Sequence, residues 1–205
     1  MQPLIDHARS FRKQSADRPE EFARLARGQS PQVLFITCSD SRVVPALITG
    51  ARPGELFELR TAGNIVPPHT SAQPTSEAAT VEYAVEVLGV TDIVVCGHSH
   101  CGAVGALVRG DDLTAVPAVR DWLAHSTSRP EGAVEDLTVT EAVQNHVLTQ
   151  LLRLRSYPSV ERRLAGGPTG AGPSVAGLRL HGWFYEVHTG SVLAHDVRSD
   201  SFEAL

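Results

Sequence analysis

Four side chains that can bind a transition metal lie within six consecutive residues of the sequence VVCGHSHCGAV, residues 94–104. They are Cys96, His98, His100 and Cys101, and they stand where an apolar run meets a glycine turn. Thiolate and imidazole are ligands that zinc prefers. His98 and Cys101 are three residues apart, so on a turn entering a helix they share one face. The positive end of that helix dipole would favour the Cys101 thiolate.

A second reactive group follows another apolar run. The sequence QVLFIT, residues 32–37, leads into CSDSR, which supplies Cys38, Asp40 and Arg42. In open parallel sheets, ligands collect in the crevice at the carboxyl ends of the strands. The topology therefore predicts that these side chains and those after residue 94 face one crevice.

Alternative roles exist for the remaining candidates. Cys96 lies inside an apolar run, and a buried free cysteine is usually a small hydrophobic residue. His100 would have to fold back past His98 to bind the same ion, which favours a supporting or solvent-facing role. A phosphatase loop is excluded because it needs cysteine and arginine six positions apart, whereas Cys38 and Arg42 are four apart and Val44 occupies the required place.

The elements that must position these residues follow from the apolar patterns. Strands are predicted at 32–37, 55–61 and 92–97, and 92–97 lacks alternation, which is typical of a parallel strand buried on both faces. Helices are predicted over 3–27 with an interruption at Pro19, over 75–89 with a cap at Thr75 or Ser76, from Cys101 onward, and around 115–126 and 136–155. A flexible loop is predicted at 166–173 and a hairpin over 175–197, turning near Thr189 and Gly190.

The order of these elements predicts an α/β fold: a mainly parallel central β-sheet flanked by helices, with an N-terminal helical arm over 1–27 and a C-terminal hairpin. We find no internal repeat and no linker, so residues 1–205 are predicted to form a single domain.

Composition narrows the class of protein. The chain has 205 residues, of which 42% are hydrophobic, enough for a sizeable core. The formal net charge of −5 and the absence of a Lys/Arg run argue against a nucleic-acid partner. No apolar stretch approaches the ~20 residues of a membrane span, and the amino terminus lacks a secretory apolar region. Three cysteines are too few for a disulfide framework. A cytoplasmic protein is expected.

Several motifs resemble one known family. CSDSRV (38–43), RTAGNIVPP (60–68), EYAV (82–85) and GHSHCGAV (97–104) are similar, in order and spacing, to the motif series of the β-class carbonic anhydrases. The match runs from about Gln29 to Val104, and GWFYEVHTG (182–190) resembles the family's closing strand pair.

The resemblance implies a metal and a reaction. One Zn²⁺ per chain would be bound by Cys38, His98 and Cys101, leaving a fourth position for water, as in catalytic zinc sites. Zinc-bound hydroxide would hydrate carbon dioxide reversibly to bicarbonate and a proton. Asp40 and Arg42 would form the family's dyad, in which the guanidinium orients an ionised carboxylate towards the hydroxide.

The resemblance also implies a subtype. Gln29, Phe57 and Tyr83 match the glutamine, phenylalanine and tyrosine that line the cleft in plant-type members. Ala62, where the plant pattern has valine, and Gly102 are expected to contribute to substrate binding as well. In the regulated subtype tryptophan stands three residues before the first cysteine, and here that residue is Phe35.

The subtype also implies how the chains assemble and whether Asp40 binds the metal. The cleft would lie at a subunit interface, with the arm packed across a partner, so a homodimer or homotetramer is expected. At neutral pH we expect Asp40 to be paired with Arg42 rather than bound to zinc. Two other functions use the same scaffold: hydrolysis of carbon disulfide or carbonyl sulfide, and a non-catalytic bicarbonate- or zinc-binding module.

Overall fold

A computed structural model describes residues 1–70, 74–124, 138–166 and 177–205. Within these residues the strands β1 to β6 span, in chain order, Val33–Cys38, Leu56–Thr61, Asp92–His98, Arg179–Tyr185, Val192–Asp196 and Ser201–Ala204. The α-helices α1 to α8 span Gln2–Ala16, Pro19–Leu25, Pro45–Thr49, Ser76–Glu82, Gly102–Arg109, Pro117–Ala124, Val139–Arg155 and Pro158–Leu164. A membrane-spanning helix is absent from this described part of the chain.

The strands form one sheet in the order β2-β1-β3-β4-β5-β6. The first four are mutually parallel, whereas β4, β5 and β6 pair antiparallel. The predicted mainly parallel sheet and C-terminal hairpin are therefore confirmed. The predicted strands 32–37, 55–61 and 92–97 each agree with the structure to within one residue. Strand β6 was not predicted.

The central strands β1 and β3 are buried because both of their faces are covered. Every residue of β1 after Val33, and every residue of β3 after Asp92, is buried. This is the burial that a continuous apolar run produces in a parallel sheet.

Helix α7 lies directly against β3, and a glycine makes this close approach possible. A Cβ atom at Gly97 would lie 2.6 Å from Val143 Cγ1 and 2.7 Å from Val147 Cγ2. Real Cβ contacts do not approach so closely, so Gly97 sets the distance between the helix and the sheet. The helix begins in a capping box formed by Thr138 and Glu141.

The predicted helices are present, with changes at their ends. The arm is two helices, since α1 ends at Ala16 and α2 begins at Pro19. In the helix predicted over 75–89, Thr75 caps α4 and the chain continues as a π-helical turn over Tyr83–Val87. Helix α8 was not predicted. The predicted ends at 125–126 and 136–137, the start of the hairpin at 175–176 and most of the loop at 166–173 lie outside the described residues.

An ion cluster joins the amino ends of β3 and β4. Asp92 accepts hydrogen bonds from Arg179 Nε and Nη2, each at 2.7 Å, and lies 2.7 Å from His181 Nε2. Burial alone would raise the pKa of Asp92, but the hydrogen bonds from Arg179, His181 and Thr91 outweigh it and lower this pKa to about 2. The cluster therefore favours an ionised Asp92 in the folded protein.

Candidate metal centre

Three sulfur and nitrogen ligands converge at the carboxyl end of the sheet. Cys38 is the last residue of β1, His98 is the last residue of β3, and Cys101 immediately precedes α5. Their ligand atoms all lie within 4.8 Å of one another. The exposed fractions of the three residues are 7%, 0% and 2%. The sheet and the start of α5 thus form a buried Cys-His-Cys cluster that could hold one metal ion.

The His98 ring is oriented by its own neighbour. Nδ1 lies 2.9 Å from the Ser99 carbonyl oxygen, which can only accept a hydrogen bond, so the proton is on Nδ1. Nε2 then presents a lone pair, and this buried atom has no hydrogen-bond partner among the described residues. Metal-binding histidines are typically held in this way, with the second ring nitrogen donating to a carbonyl group.

The two thiols influence each other's ionisation. The pKa of Cys38 is lowered, mainly by its hydrogen bond with Cys101 and further by the Gly63 backbone N–H. The pKa of Cys101 is raised by Cys38 and by burial. The pair therefore loses its first proton below the usual thiol range and its second above it. A dication shared by both sulfurs would favour the second thiolate as well.

A carboxylate is fixed beside the cluster by an arginine. Arg42 Nε and Nη2 donate to Asp40 Oδ1 and Oδ2 at 2.9 and 2.7 Å, and the Arg42 backbone N–H donates to Oδ1 at 2.9 Å. These bonds hold the pKa of Asp40 well below its usual range. Oδ2 lies 3.9 Å from His98 Nε2. The ionised carboxylate is thus adjacent to the position that a metal ion would occupy.

A second arginine holds the loop that carries these residues. The Arg60 guanidinium donates to three backbone carbonyls, those of Cys38, Asp40 and Val43, with Nη2 at 2.9, 2.8 and 2.7 Å. One cation thereby stabilises the turn after β1 and the direction in which its side chains point. This role of Arg60 was not predicted from the sequence.

The other two candidates from the sequence stay outside the cluster. Cys96 is fully buried next to Phe35 and Val94, and burial raises the pKa of its thiol to about 12. His100 is exposed, and its backbone carbonyl accepts from Arg42 Nη2 at 3.2 Å.

The predicted cleft residues do not all gather around the cluster. Ala62 and Gly102 are close to it, since Ala62 follows β2 beside Cys38 and Gly102 is the residue after Cys101. A cavity of about 360 Å³ lies beside Ala62.

Gln29, Phe57 and Tyr83 lie towards the other end of the sheet. Phe57 pairs with Leu34 in the register, roughly 13 Å along the strand from the level of Cys38. The Phe57 and Tyr83 rings are 5.9 Å apart. Gln29 lines a separate cavity of about 530 Å³ before the start of β1. Within one chain these three residues do not reach the Cys-His-Cys cluster.

A polar face of α7 was also not predicted from the sequence. His146 Nε2 donates to the Gly63 carbonyl at 2.8 Å, and Gln150 Oε1 accepts from the Val66 backbone N–H at 2.9 Å. Tyr157, just beyond the helix, donates to the Pro67 carbonyl at 2.7 Å. The four-residue spacing of His146 and Gln150 in an otherwise apolar helix face is the signal that could have revealed them.

Comparisons with known proteins agree with this arrangement. The carbonic anhydrase family model matches residues 33–192. A carbonic anhydrase of Pseudomonas aeruginosa is 44% identical, over 100% of this chain and 92% of that protein. The structure of the β-carbonic anhydrase CcaA superposes with a TM-score of 0.86 at 40% identity, covering 100% of this chain and 99% of that one.

A further similar structure is one of two tetrameric β-carbonic anhydrases from the ascomycete Sordaria macrospora. Its TM-score is 0.75 at 30% identity, with 93% of this chain and 94% of that chain covered. Fold, motifs and sequence identity over the whole chain agree, and the chain belongs to the β class of the carbonic anhydrase family.

Proposed function

We propose that this protein catalyses the reversible hydration of carbon dioxide to bicarbonate and a proton, with one Zn²⁺ per chain bound by Cys38, His98 and Cys101. The observation that supports this most strongly is the buried Cys-His-Cys cluster beside an arginine-held carboxylate. Family membership supports the same reaction.

The residues present fit a zinc ion. Two thiols and one imidazole are a donor set that zinc prefers, and three protein ligands leave one position for a reactant. The unpartnered lone pair of His98 Nε2 is costly in a buried site unless something binds it. Zinc in such a site acts as a Lewis acid that makes hydroxide available from water near neutral pH.

Asp40 would orient the attacking hydroxide. Its Oδ1 accepts from both the side chain and the backbone of Arg42, whereas Oδ2 accepts one hydrogen bond from Arg42. A carboxylate oxygen has two lone pairs, so Oδ2 retains one for a further donor. Because Oδ2 lies on the side of His98, it can accept a hydrogen bond from the attacking hydroxide and direct a lone pair at carbon dioxide.

The Asp40–Arg42 pair also favours a catalytic function over that of a non-catalytic zinc-binding module. An ionised carboxylate next to the metal ligands is of no use for simply storing zinc, but it is needed to direct a nucleophile. Carbon disulfide and carbonyl sulfide undergo the same attack, and the curated relative at 44% identity is a carbonic anhydrase. That relationship supports carbon dioxide as the substrate.

We further propose that the active form is at least a homodimer, in which Gln29, Phe57 and Tyr83 of one subunit complete the cleft of its partner. The distance of these residues from the cluster of their own chain supports this arrangement. Helix α1 has no buried residue, and Leu4 and Phe11 are 70% and 46% exposed, so its apolar side is available to a partner. The reduced, buried cysteines suit a cytoplasmic location.

The proposed reaction is tested by measuring zinc content and stopped-flow hydration of carbon dioxide on the same sample, with carbon disulfide and carbonyl sulfide as competing substrates. We expect about one zinc per chain and turnover of carbon dioxide far above that of the sulfur compounds. Cys38→Ser should lose both zinc and activity. Cys96→Ser is the matched control and should lose neither. Preferred turnover of carbon disulfide, or an inactive zinc-loaded protein, would reject the proposal.

The shared cleft is tested by mixing two inactive variants. Gln29→Ala lacks the cleft amide and Cys38→Ser lacks a ligand, so a mixed dimer contains one intact site only if Gln29 serves the partner. Random mixing after dissociation should restore about a quarter of the parent activity, because half of the dimers are mixed and each has one of two sites intact. No recovery, with mixed dimers verified by mass spectrometry, would show that Gln29 does not act across the interface.

A further inference from the structure

We infer that Trp122 is a positioning residue for the metal centre and acts on the Cys38 sulfur through the peptide group between Ala62 and Gly63. This inference rests on the proposed role of Cys38 as a metal ligand. Neither the sequence motifs nor the family comparison assigns a role to Trp122.

The contact runs through a single peptide group. The Trp122 indole Nε1 donates to the Ala62 carbonyl oxygen at 2.9 Å. The N–H of that same peptide, on Gly63, donates to Cys38 Sγ at 3.3 Å. The peptide group accepts one hydrogen bond at its oxygen and donates another from its nitrogen. Two hydrogen bonds and one planar peptide group therefore connect Trp122 to the Cys38 sulfur.

The residue at the centre of this path has little freedom to move. Gly63 has φ of +72°, in the left-handed region, and a Cβ there would lie 3.0 Å from Ala103 Cβ. Its own carbonyl, in the next peptide group, accepts from His146 Nε2 at 2.8 Å. Trp122 thus fixes the peptide before Gly63, and His146 fixes the peptide after it.

Trp122 itself is held in place by apolar packing. Its ring packs against a cluster that contains the buried side chains of Ile65 and Leu123. Leu123 is 1% exposed and anchors α6 to the body of the protein. The position of α6 therefore determines the direction in which the indole N–H points.

Such a path has two physical consequences for the sulfur. A donor on a peptide oxygen polarises the peptide and strengthens the hydrogen bond that its N–H donates. An N–H···S bond withdraws electron density from a thiolate ligand and fixes its orientation, which changes both the retention of the metal and its electronic properties. Trp122 is therefore expected to tune the centre without contacting substrate or metal.

The test replaces only the indole N–H and reads the sulfur–metal bond directly. Trp122→Phe preserves an aromatic ring in the cluster but cannot donate to Ala62. In the cobalt-substituted protein, we expect the thiolate-to-cobalt charge-transfer band to move to lower energy, since a weaker N–H···S bond leaves the sulfur more electron-rich. Loss of cobalt to a chelator should be about three- to tenfold faster. This is less than the roughly 10- to 100-fold effect of removing a direct hydrogen-bond partner of a ligand, because Ala62 is exposed and water can replace the lost donor.

Trp183→Phe is the matched control, since Trp183 is the other of the chain's two tryptophans and packs against Phe35 instead. It should leave the cobalt spectrum unchanged. If Trp122→Phe does not fold, position 122 is replaced by 3-benzothienylalanine, which has the shape of tryptophan but lacks the N–H.

The outcomes separate the two proposals. A parent cobalt protein without a thiolate charge-transfer band, or with a band that Cys38→Ser leaves unchanged, would reject Cys38 as a ligand. A parent with the band, but with the same band energy and chelation rate after loss of the Trp122 N–H, would reject the role of Trp122 alone.

Discussion

Removing the side chain of Arg42 isolates the part of catalysis that depends on the direction of a carboxylate. Arg42→Ala deletes two of the three hydrogen bonds that the residue donates to Asp40, those of 2.9 and 2.7 Å from Nε and Nη2. The 2.9 Å bond from the Arg42 backbone N–H remains. Asp40 in the variant is therefore anchored at Oδ1 but free to rotate at Oδ2.

The charge of Asp40 should survive the substitution. Arg42 is the main cause of the lowered pKa of Asp40, so this pKa should rise towards the usual value of about 3.9. At pH 7 the carboxylate would still be ionised, and any loss of activity must come from its orientation. A catalytic group displaced by about 1 Å costs on the order of 100-fold in rate. We expect kcat/KM for carbon dioxide to fall by roughly this factor.

The assay is stopped-flow hydration of carbon dioxide, with zinc measured on the same sample. Zinc content should stay at the parent level, because the three ligands are untouched, and the freed carboxylate can turn towards the cation as a fourth ligand. Arg52→Ala is the matched control, since Arg52 binds Glu55 with comparable side-chain distances of 2.9 and 2.7 Å at the surface. Parent activity in Arg42→Ala, or a loss of zinc from it, would refute this account of the dyad.

Three further predictions concern the scaffold and the unused thiol. Gly97→Ala should lower the free energy of unfolding by about 1–3 kcal/mol in urea titrations, because its Cβ collides with α7. Gly177→Ala, whose Cβ would contact none of the described residues, should change this free energy little. Asp92→Asn should lower the free energy of unfolding by about 1–2 kcal/mol at pH 7. Because the pKa of Asp92 is depressed in the folded protein, the difference in stability from the parent should disappear as the pH falls from about 5 to 2. A difference that does not depend on pH would contradict this prediction. Cys96→Ser should leave the zinc affinity unchanged in chelator competition, and weaker binding would reject the ligand assignment.

The sequence was informative where a local pattern determines the structure. β1 and β3 are continuous apolar runs, and the reactive residues directly follow them, so parallel pairing alone brings Cys38 and His98 together. Helix α8 and strand β6 are short and carry no strong periodicity, and they acquire their structure from contacts with the rest of the chain.

Contacts between distant segments could not be predicted from the sequence. Arg60 binds carbonyls that are 17 to 22 residues away, and Trp122 reaches a carbonyl 60 residues away. Nothing in the spacing of these residues indicates such contacts. The same holds for Gln29. Its position in the motif matches a cleft residue, but the motif does not indicate whether Gln29 lies in the cleft of its own subunit or in that of the partner.

The most direct test of the metal centre is a crystal structure of the zinc-loaded protein near pH 8, with the ion located by anomalous scattering at the zinc edge. We predict one ion per chain bound by Cys38, His98 and Cys101, with solvent in the fourth position and Asp40 still paired with Arg42. An ion bound by other residues would contradict the proposed ligand set. Asp40 on the zinc would contradict the open arrangement that we propose for neutral pH.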